Sequence, residues 1–275
     1  MYNTNLLTLV HEQTPQLLDL VRQASLAIMS IKNEADDLQI QSKDDQSPLT
    51  QADLAAHEII VAGLAQLFPE ILIVSEEDNT SHQDRIQATH YWLVDPLDGT
   101  KEFINGYDDF TVNIALICRN SSGLAEPRYG FMGIPEKELY YSGGKDLGAW
   151  KHKAQEHQWL SQPLAQLDKN APNIYRVVTS RSHLNQATLD YIASLDKKST
   201  LVQAGSASKF CLIAEGQADL YPRLGPICEW DIAAGQAILE GVGGHVINPN
   251  TQLPPVYGNK SDLLIHPFVA GIRYE

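Results

Sequence analysis

Cysteine is scarce in this chain. Three occur among 275 residues, Cys118, Cys211 and Cys228, with no CxxC pair. An odd count without paired spacing argues against a disulfide framework and favours a reducing compartment. Long apolar runs are missing as well: none approaches the roughly 18 residues of a spanning helix. The N-terminus has no basic stretch followed by an apolar core and a small-residue cleavage site, so no secretory leader is read there. Together these absences give the expectation of a cytoplasmic protein, with peripheral attachment to the cytoplasmic face of the inner membrane left open. Positive charge is short too, with 20 Lys and Arg against 34 Asp and Glu and a formal net charge of -14. An acidic surface repels nucleic acid and anionic lipid, so no nucleic acid polymer is expected as a partner. A small anionic substrate stays compatible if bound metal reverses the field locally.

Common catalytic signatures are also absent. There is no GxxxxGKS/T loop, no HExxH, no Cys/His cluster at zinc spacing and no GxSxG elbow. The Gly-Gly pairs at 143–144 and 243–244 do not form GxGxxG.

What is present is a core-forming composition: 43% hydrophobic and 20% charged, enough for one large domain or two smaller ones. Thr14-Pro15 reads as a helix start, and Leu17, Leu20, Val21, Ala24, Ala27, Ile28 and Ile31 follow at helical spacing. Residues 32–48 are polar and read as a loop or poorly ordered hairpin. Thr50 opens a second helical pattern, which Pro69 stops. Strands are expected at 71–75, 91–95, 111–118, 128–134, 138–142 and 148–150, the later ones as an antiparallel meander. The irregular segment 151–172 suggests a boundary, dividing the chain into residues 1–160 and 161–275. Beyond it, strands at 175–179, 201–203, 218–221, 245–248 and 262–266 alternate with helices at 184–195, 208–215 and 231–241. That alternation predicts an α/β layered fold.

Four segments carry the chemistry. Asp53 lies in the first turn of the second helix, where a carboxylate also suits the helix dipole. Ser75-Glu76-Glu77-Asp78 follows an apolar strand; a solvated acidic loop is the ordinary explanation. Asp95-Pro96-Leu97-Asp98-Gly99-Thr100 ends another strand, placing two carboxylates and a hydroxyl at one turn, with the Leu97 carbonyl free to face the same point. Asp231 opens a helix of small and apolar residues and would serve equally as a cap. Each segment alone has a bland account. Jointly they can hold two or three Mg²⁺ ions, which want oxygen ligands and keep waters that a phosphate can replace.

Residues 94–105 and 230–244 (WDIAAGQAILEGVGG) resemble the two signatures of the inositol monophosphatase-like, lithium-sensitive phosphomonoesterases. Further stretches, LTQAD, VSEED, DPLDGTKEF, FTVNIAL, SRSH, SxxKFCLIAEGxADLYPR and GPICEWD, are similar to the bacterial 3′(2′),5′-bisphosphate nucleotidase branch, and the likeness runs from about residue 10 to 266. The resemblance implies a five-layer αβαβα sandwich. It implies metal ligation by Glu76, Asp95, Asp98, Asp231 and the Leu97 carbonyl, water activation by Asp53 and Thr100, and Glu76 as a catalytic ligand. Gly99, Thr100 and Asp231 would contact the cleaved phosphate. Gly205, Ser206, Ser208, Lys209 and Arg223 would hold the nucleotide, with Ser180 and His183 near base or ribose. One departure is GSASKFC, where the branch more often reads GSSLKFC. The implied substrate is a small phosphorylated nucleotide: removal of the 3′-phosphate of adenosine 3′,5′-bisphosphate, with action on 3′-phosphoadenylyl sulfate, linked to sulfate assimilation. Inositol monophosphatase or fructose-1,6-bisphosphatase activity is the alternative within the class; KEF after the turn and the SxxKFC segment weigh against it. Outside the class stand a non-catalytic nucleotide or metal sensor and an acidic protein that buffers divalent ions. Monomer and dimer both remain open.

Overall fold

The computed structural model describes residues 4–34, 41–42, 48–78, 80, 82–156, 158–170, 172–265 and 267–272. Two helices come first, α1 (Thr4–Glu12) and α2 (Thr14–Glu34). In α2 the expected stripe is buried at Leu17, Leu20, Val21, Ala24 and Ile28. A two-residue antiparallel pair, β1 (Gln41–Ser42) with β2 (Pro48–Leu49), overlaps the segment 32–48 read as a loop or hairpin and runs one residue past it; the remainder of that segment beyond Glu34 lies outside the described residues. Helix α3 (Gln51–Leu67) begins where expected. Thr50 caps it by accepting from Ala52 N at 3.1 Å, and Asp53 closes the capping box by accepting from Thr50 N at 2.8 Å.

A seven-stranded sheet follows. Its strands are β3 (Leu72–Ser75), β4 (His90–Asp98), β5 (Thr111–Arg119), β6 (Ala125–Ile134), β7 (Leu139–Gly144), β8 (Gly148–Gln155) and β9 (Gln158–Pro163), in that spatial order. Helices α4 (His82–Gln87) and α5 (Thr100–Ile104) interrupt it. β3 runs parallel to β4, and the rest form the antiparallel meander expected. The reading of 151–163 as irregular is corrected: these residues complete β8 and make β9. Their polarity reflects an exposed sheet edge, anchored where the Trp159 ring meets Tyr140 at 5.1 Å and its Nε1 donates to Asp19 at 2.9 Å.

The second sheet has the order β11-β10-β12-β16-β14. Its elements are β10 (Tyr175–Ser180), α6 (Gln186–Ala193), β11 (Ser199–Ala204), α7 (Ser208–Ala214), β12 (Leu220–Arg223), then β13 (Ile227–Cys228), α8 (Trp230–Gly241), β14 (His245–Ile247), β15 (Leu264–Ile265) and β16 (Phe268–Gly271). Only the β10 pairings are parallel; β16 is antiparallel to both β12 and β14. The strand expected at 262–266 shrinks to β15, which pairs with β13 outside this sheet; His266 lies outside the described residues. The strand that sits inside the sheet, β16, gave no sequence signal because it is four residues long and ends in glycine.

Three apolar clusters stack the layers. One joins α1, α2 and α3 to one face of the large sheet through Leu17, Val21, Ile60, Trp92, Val94 and Phe131. A second joins the other face to α7, α8 and the small sheet through Tyr91, Leu93, Met132, Phe210, Ile238 and Tyr221. The third packs α6 on the far face of the small sheet through Val177, Ile192 and Leu220. The order is helices, sheet, helices, sheet, helix, the five-layer sandwich expected.

Candidate active site

Strand β4 shows how the acids are assembled. Trp92 and Val94 point into the α2–α3 core, and Tyr91 and Leu93 point the other way. Strict alternation would send Asp95 and Asp98, three apart, to opposite faces. The register prevents that. Asp95 pairs with Asn113 and Asp98 with Thr111, so β4 carries one extra residue, a bulge that resets the alternation. Gly99 then turns the chain with φ +92. A Cβ there would meet Ser206 Cβ at 3.2 Å and the Phe110 Cα at 3.4 Å, so side-chain-free backbone is required on both counts. Asp231 arrives from the first turn of α8, where it accepts from Cys228 N at 3.3 Å while Glu229 takes the cap position.

One carboxylate oxygen each from Asp95, Asp98 and Asp231 lie within 4.8 Å of one another. Glu76, the first residue beyond β3, is fixed by its N–H donating to Val94 O at 3.0 Å. It lines, with Asp98 and Asp231, a cavity of about 400 Å³. Burial, and then the charges of Glu76, Asp98 and Asp231, hold the Asp95 carboxyl well above the usual range. Burial, Asp98 and Glu76 do the same to Asp231. Asp98 is raised by burial too, against the pull of Lys209, the Ser206 hydroxyl and the Ala207 N–H. An oxygen-only donor set, buried at Asp95 and half-buried at Asp98 and Asp231, with like charge that Lys209 offsets only at Asp98, fits a hard divalent cation, which would relieve the repulsion.

Thr100 stands one residue beyond the bulge. Its Oγ lies 3.1 Å from Asp53 Oδ1 and 3.3 Å from the Leu97 carbonyl oxygen, both acceptors. Asp53 is buried, and its Oδ2 accepts from the Thr50 N–H and from the Thr50 hydroxyl at 2.6 Å. The helix-capping role and the contact with Thr100 are thus carried by different oxygens of one carboxylate.

The same cavity reaches the second half of the chain. Ser180, His183, Ser206, Lys209 and Arg223 line it. Lys209 is not the solvated surface group its charge suggests: it is 3% exposed. Its ammonium donates to the Ser206 carbonyl and lies 5.1 Å from the Tyr221 ring centroid. Burial pushes its pKa down to about 8, with Asp98 opposing. Arg223 donates to the carbonyls of His183 at 3.4 Å and Pro226 at 3.2 Å, while its Nε has no partner among the described residues. Burial, then Arg223, lowers the His183 pKa. Ser180 Oγ accepts from His183 N at 3.2 Å.

Ser206 and Ala207 clamp Asp98, donating to its Oδ2 at 2.7 and 2.6 Å. Gly205 packs against Glu102 and Asp109, where a Cβ would meet Glu102 Cγ at 2.6 Å. Ser208 is placed differently: its hydroxyl donates to the Gly205 carbonyl at 2.8 Å, and it is not on the cavity wall. Glu102 is on that wall and went unremarked in the sequence, although it is the acid of the KEF triplet; it accepts from Ser182 Oγ at 2.6 Å. Asp109 and Arg181 also escaped. They pair at 2.6 Å across 72 positions, and Asp109 accepts from the Gly205 N–H. No local pattern announces such a contact.

A model described as the inositol monophosphatase family matches residues 10–270. The 3′(2′),5′-bisphosphate nucleotidase CysQ of Escherichia coli O157:H7 is 42% identical over 231 residues, covering 84% of this chain and 88% of the relative. A crystal structure of CysQ from Bacteroides thetaiotaomicron, a bacterial member of that family, superposes with a TM-score of 0.81 at 36% identity, over 94% of this chain and 97% of that one. An IMPase of Thermotoga maritima gives a TM-score of 0.72 at 20% identity, over 93% of this chain and 90% of that one, a likeness of fold. Among the described residues no helix is long and apolar enough to cross a membrane.

Proposed function

From this chain's membership of the inositol monophosphatase family, we propose that it is a Mg²⁺-dependent phosphatase that converts adenosine 3′,5′-bisphosphate to AMP and phosphate, and that accepts 3′-phosphoadenylyl sulfate in the same way. The observation that carries this reading is one cavity holding both a carboxylate group, Glu76, Asp98 and Asp231, and two cations, Lys209 and Arg223. A bisphosphate needs both: a place for the reacting phosphate and a separate cation for the other.

Asp95, Asp98, Asp231, Glu76 and the Leu97 carbonyl would hold two or three ions. Bound there, Mg²⁺ supplies a water of lowered pKa and neutralises charge on the phosphate and leaving oxygens. Thr100 Oγ lies within donating distance of Asp53, so as its oxygen takes the proton of the attacking water its own proton can pass to the Asp53 carboxylate. Asp53 is held in place because Thr50 donates to it twice. Lys209 and Arg223 hold the phosphate that does not react through charge-assisted hydrogen bonds. Ser180 and His183 border the space left for ribose and base. A cytoplasmic location belongs to the same proposal. So does a division into two parts; residue 160 lies inside β9, so the division falls beyond Pro163, with Asp231, Lys209 and Arg223 from the second part completing the acids of the first.

Phosphate release tests the reading. With Mg²⁺ present, adenosine 3′,5′-bisphosphate should be hydrolysed well ahead of inositol 1-phosphate and fructose 1,6-bisphosphate. A preference for either of the latter would move the chain to another branch, and no release from any would leave a binding protein.

A further inference from the structure

Helix α3 sends a second residue toward the site. Asp53 reaches Thr100, and His57, four residues on and so on the same face, reaches the acidic turn after β3. His57 Nδ1 lies 2.9 Å from Ser75 Oγ, and its Nε2 lies 3.7 Å from Asp78 Oδ1. Ser75 is the last residue of β3, and the Asp78 N–H donates back to the Ser75 carbonyl at 3.1 Å. The imidazole therefore touches both ends of the four-residue turn 75–78, and the second residue of that turn is Glu76.

A Ser, a His and an Asp in contact invite comparison with a nucleophilic triad. Burial argues otherwise: Ser75 is 1% exposed and is absent from the cavity wall. A mechanical role fits better. β3 is an edge strand, paired among the described residues only with β4, so the sheet secures this turn from one side, where Glu76 N–H meets Val94 O. Helix α3, packed on one face of the sheet, meets the turn from a second direction. With a proton on Nε2 the ring presents it to Asp78 across 3.7 Å, an attraction longer than a hydrogen bond, and Nδ1 is then able to accept the Ser75 hydroxyl.

We propose that His57 is a positioning residue for divalent-cation binding: it staples residues 75 and 78 so that the Glu76 carboxylate is held at the cation site before the ion arrives. The proposal rests on the reading of Glu76 as a ligand. A ligand already fixed loses less conformational freedom on coordination, and partners of this kind typically contribute about 10–100-fold in metal affinity.

Calorimetric titration of Mg²⁺ and of Mn²⁺ into the metal-free full-length protein, without substrate, tests both layers. Glu76→Gln should weaken or abolish one binding event. His57→Phe keeps a ring but loses both contacts, and should weaken the same event about tenfold. Ser75→Ala should weaken it in the same direction, and His57→Asn, which keeps an acceptor for Ser75, should recover part of the loss. In a Glu76→Gln background His57→Phe should add nothing. Wild-type binding by Glu76→Gln would overturn the ligand reading. Normal binding by His57→Phe and Ser75→Ala, with Glu76→Gln impaired, would overturn the staple alone. A further loss in the double variant would show that His57 acts on the fold at large, and would overturn it too.

Discussion

At the scale of single residues, the contact between Thr100 and Asp53 is the most demanding. It joins positions 47 apart through a 3.1 Å hydrogen bond. Thr100→Val preserves volume and removes the hydroxyl. Its kcat should fall about 10²–10⁴-fold with little change in KM, since the lost group acts mainly in the transition state. Steady-state kinetics at saturating Mg²⁺ check this; a near-normal kcat would remove Thr100 from the chemistry. Lys209 gives a pH signature. Its pKa is lowered to about 8 by burial, so it loses its charge as pH rises through that value. KM for the bisphosphate should therefore climb above about pH 8, and more steeply than KM for a monophosphate lacking the second group. Lys209→Ala should abolish the difference and raise the bisphosphate KM roughly ten- to a hundredfold. A parallel rise for both substrates would mean that Lys209 does not read the second phosphate.

At the scale of elements, α8 places Asp231 by lying unusually close to the large sheet. Gly130 of β6 permits it: a Cβ there would sit 2.4 Å from the Ala234 carbonyl oxygen and 2.8 Å from the Ala234 Cα. Both clashes are with backbone, so the helix itself must move. Gly130→Ala should cost about 1–3 kcal/mol of stability, as overpacking does, and should weaken divalent binding because Asp231 rides on the displaced helix. Thermal unfolding paired with Mg²⁺ titration separates the two effects. An alanine variant with unchanged metal affinity would show that α8 adjusts without disturbing its first turn.

At the scale of the whole molecule, the site is where three layers meet: the end of the large sheet, the start of α8 and the ends of the inner strands β10 and β12 of the small sheet. Folding therefore concentrates carboxylates that would otherwise be far apart. The sign of the pH effect follows. Asp95 and Asp231 have folded-state pKa values above the unfolded ones, so the folded state holds more protons between those values. Stability of the metal-free protein should fall as pH rises through that interval, and a divalent cation should restore it. Chelation should thus lower the melting temperature more at about pH 8 than at about pH 5. Calorimetric melts with and without chelator decide it; an equal shift at both pH values would mean that repulsion in the cluster is already compensated.

The chain's local patterns determined much of this protein. The stripe of α2, the Thr50 cap, the strands that end at Ser75 and near Asp95, and the acid types at those ends are written in neighbouring residues, because helix and strand periodicity and capping are short-range effects. Tertiary structure decided the rest. Whether Asp95 and Asp98 share a face depends on a bulge defined by the partner strand β5. That β16 lies inside a sheet, and that 158–163 form its neighbour's outer edge, depends on which strands stand beside them. Lys209 became buried, Asp109 found Arg181 and His57 found the turn at 75–78 only once distant segments had packed. Such contacts are set by the stacking of layers far apart in the chain, and a window of adjacent residues carries no trace of them.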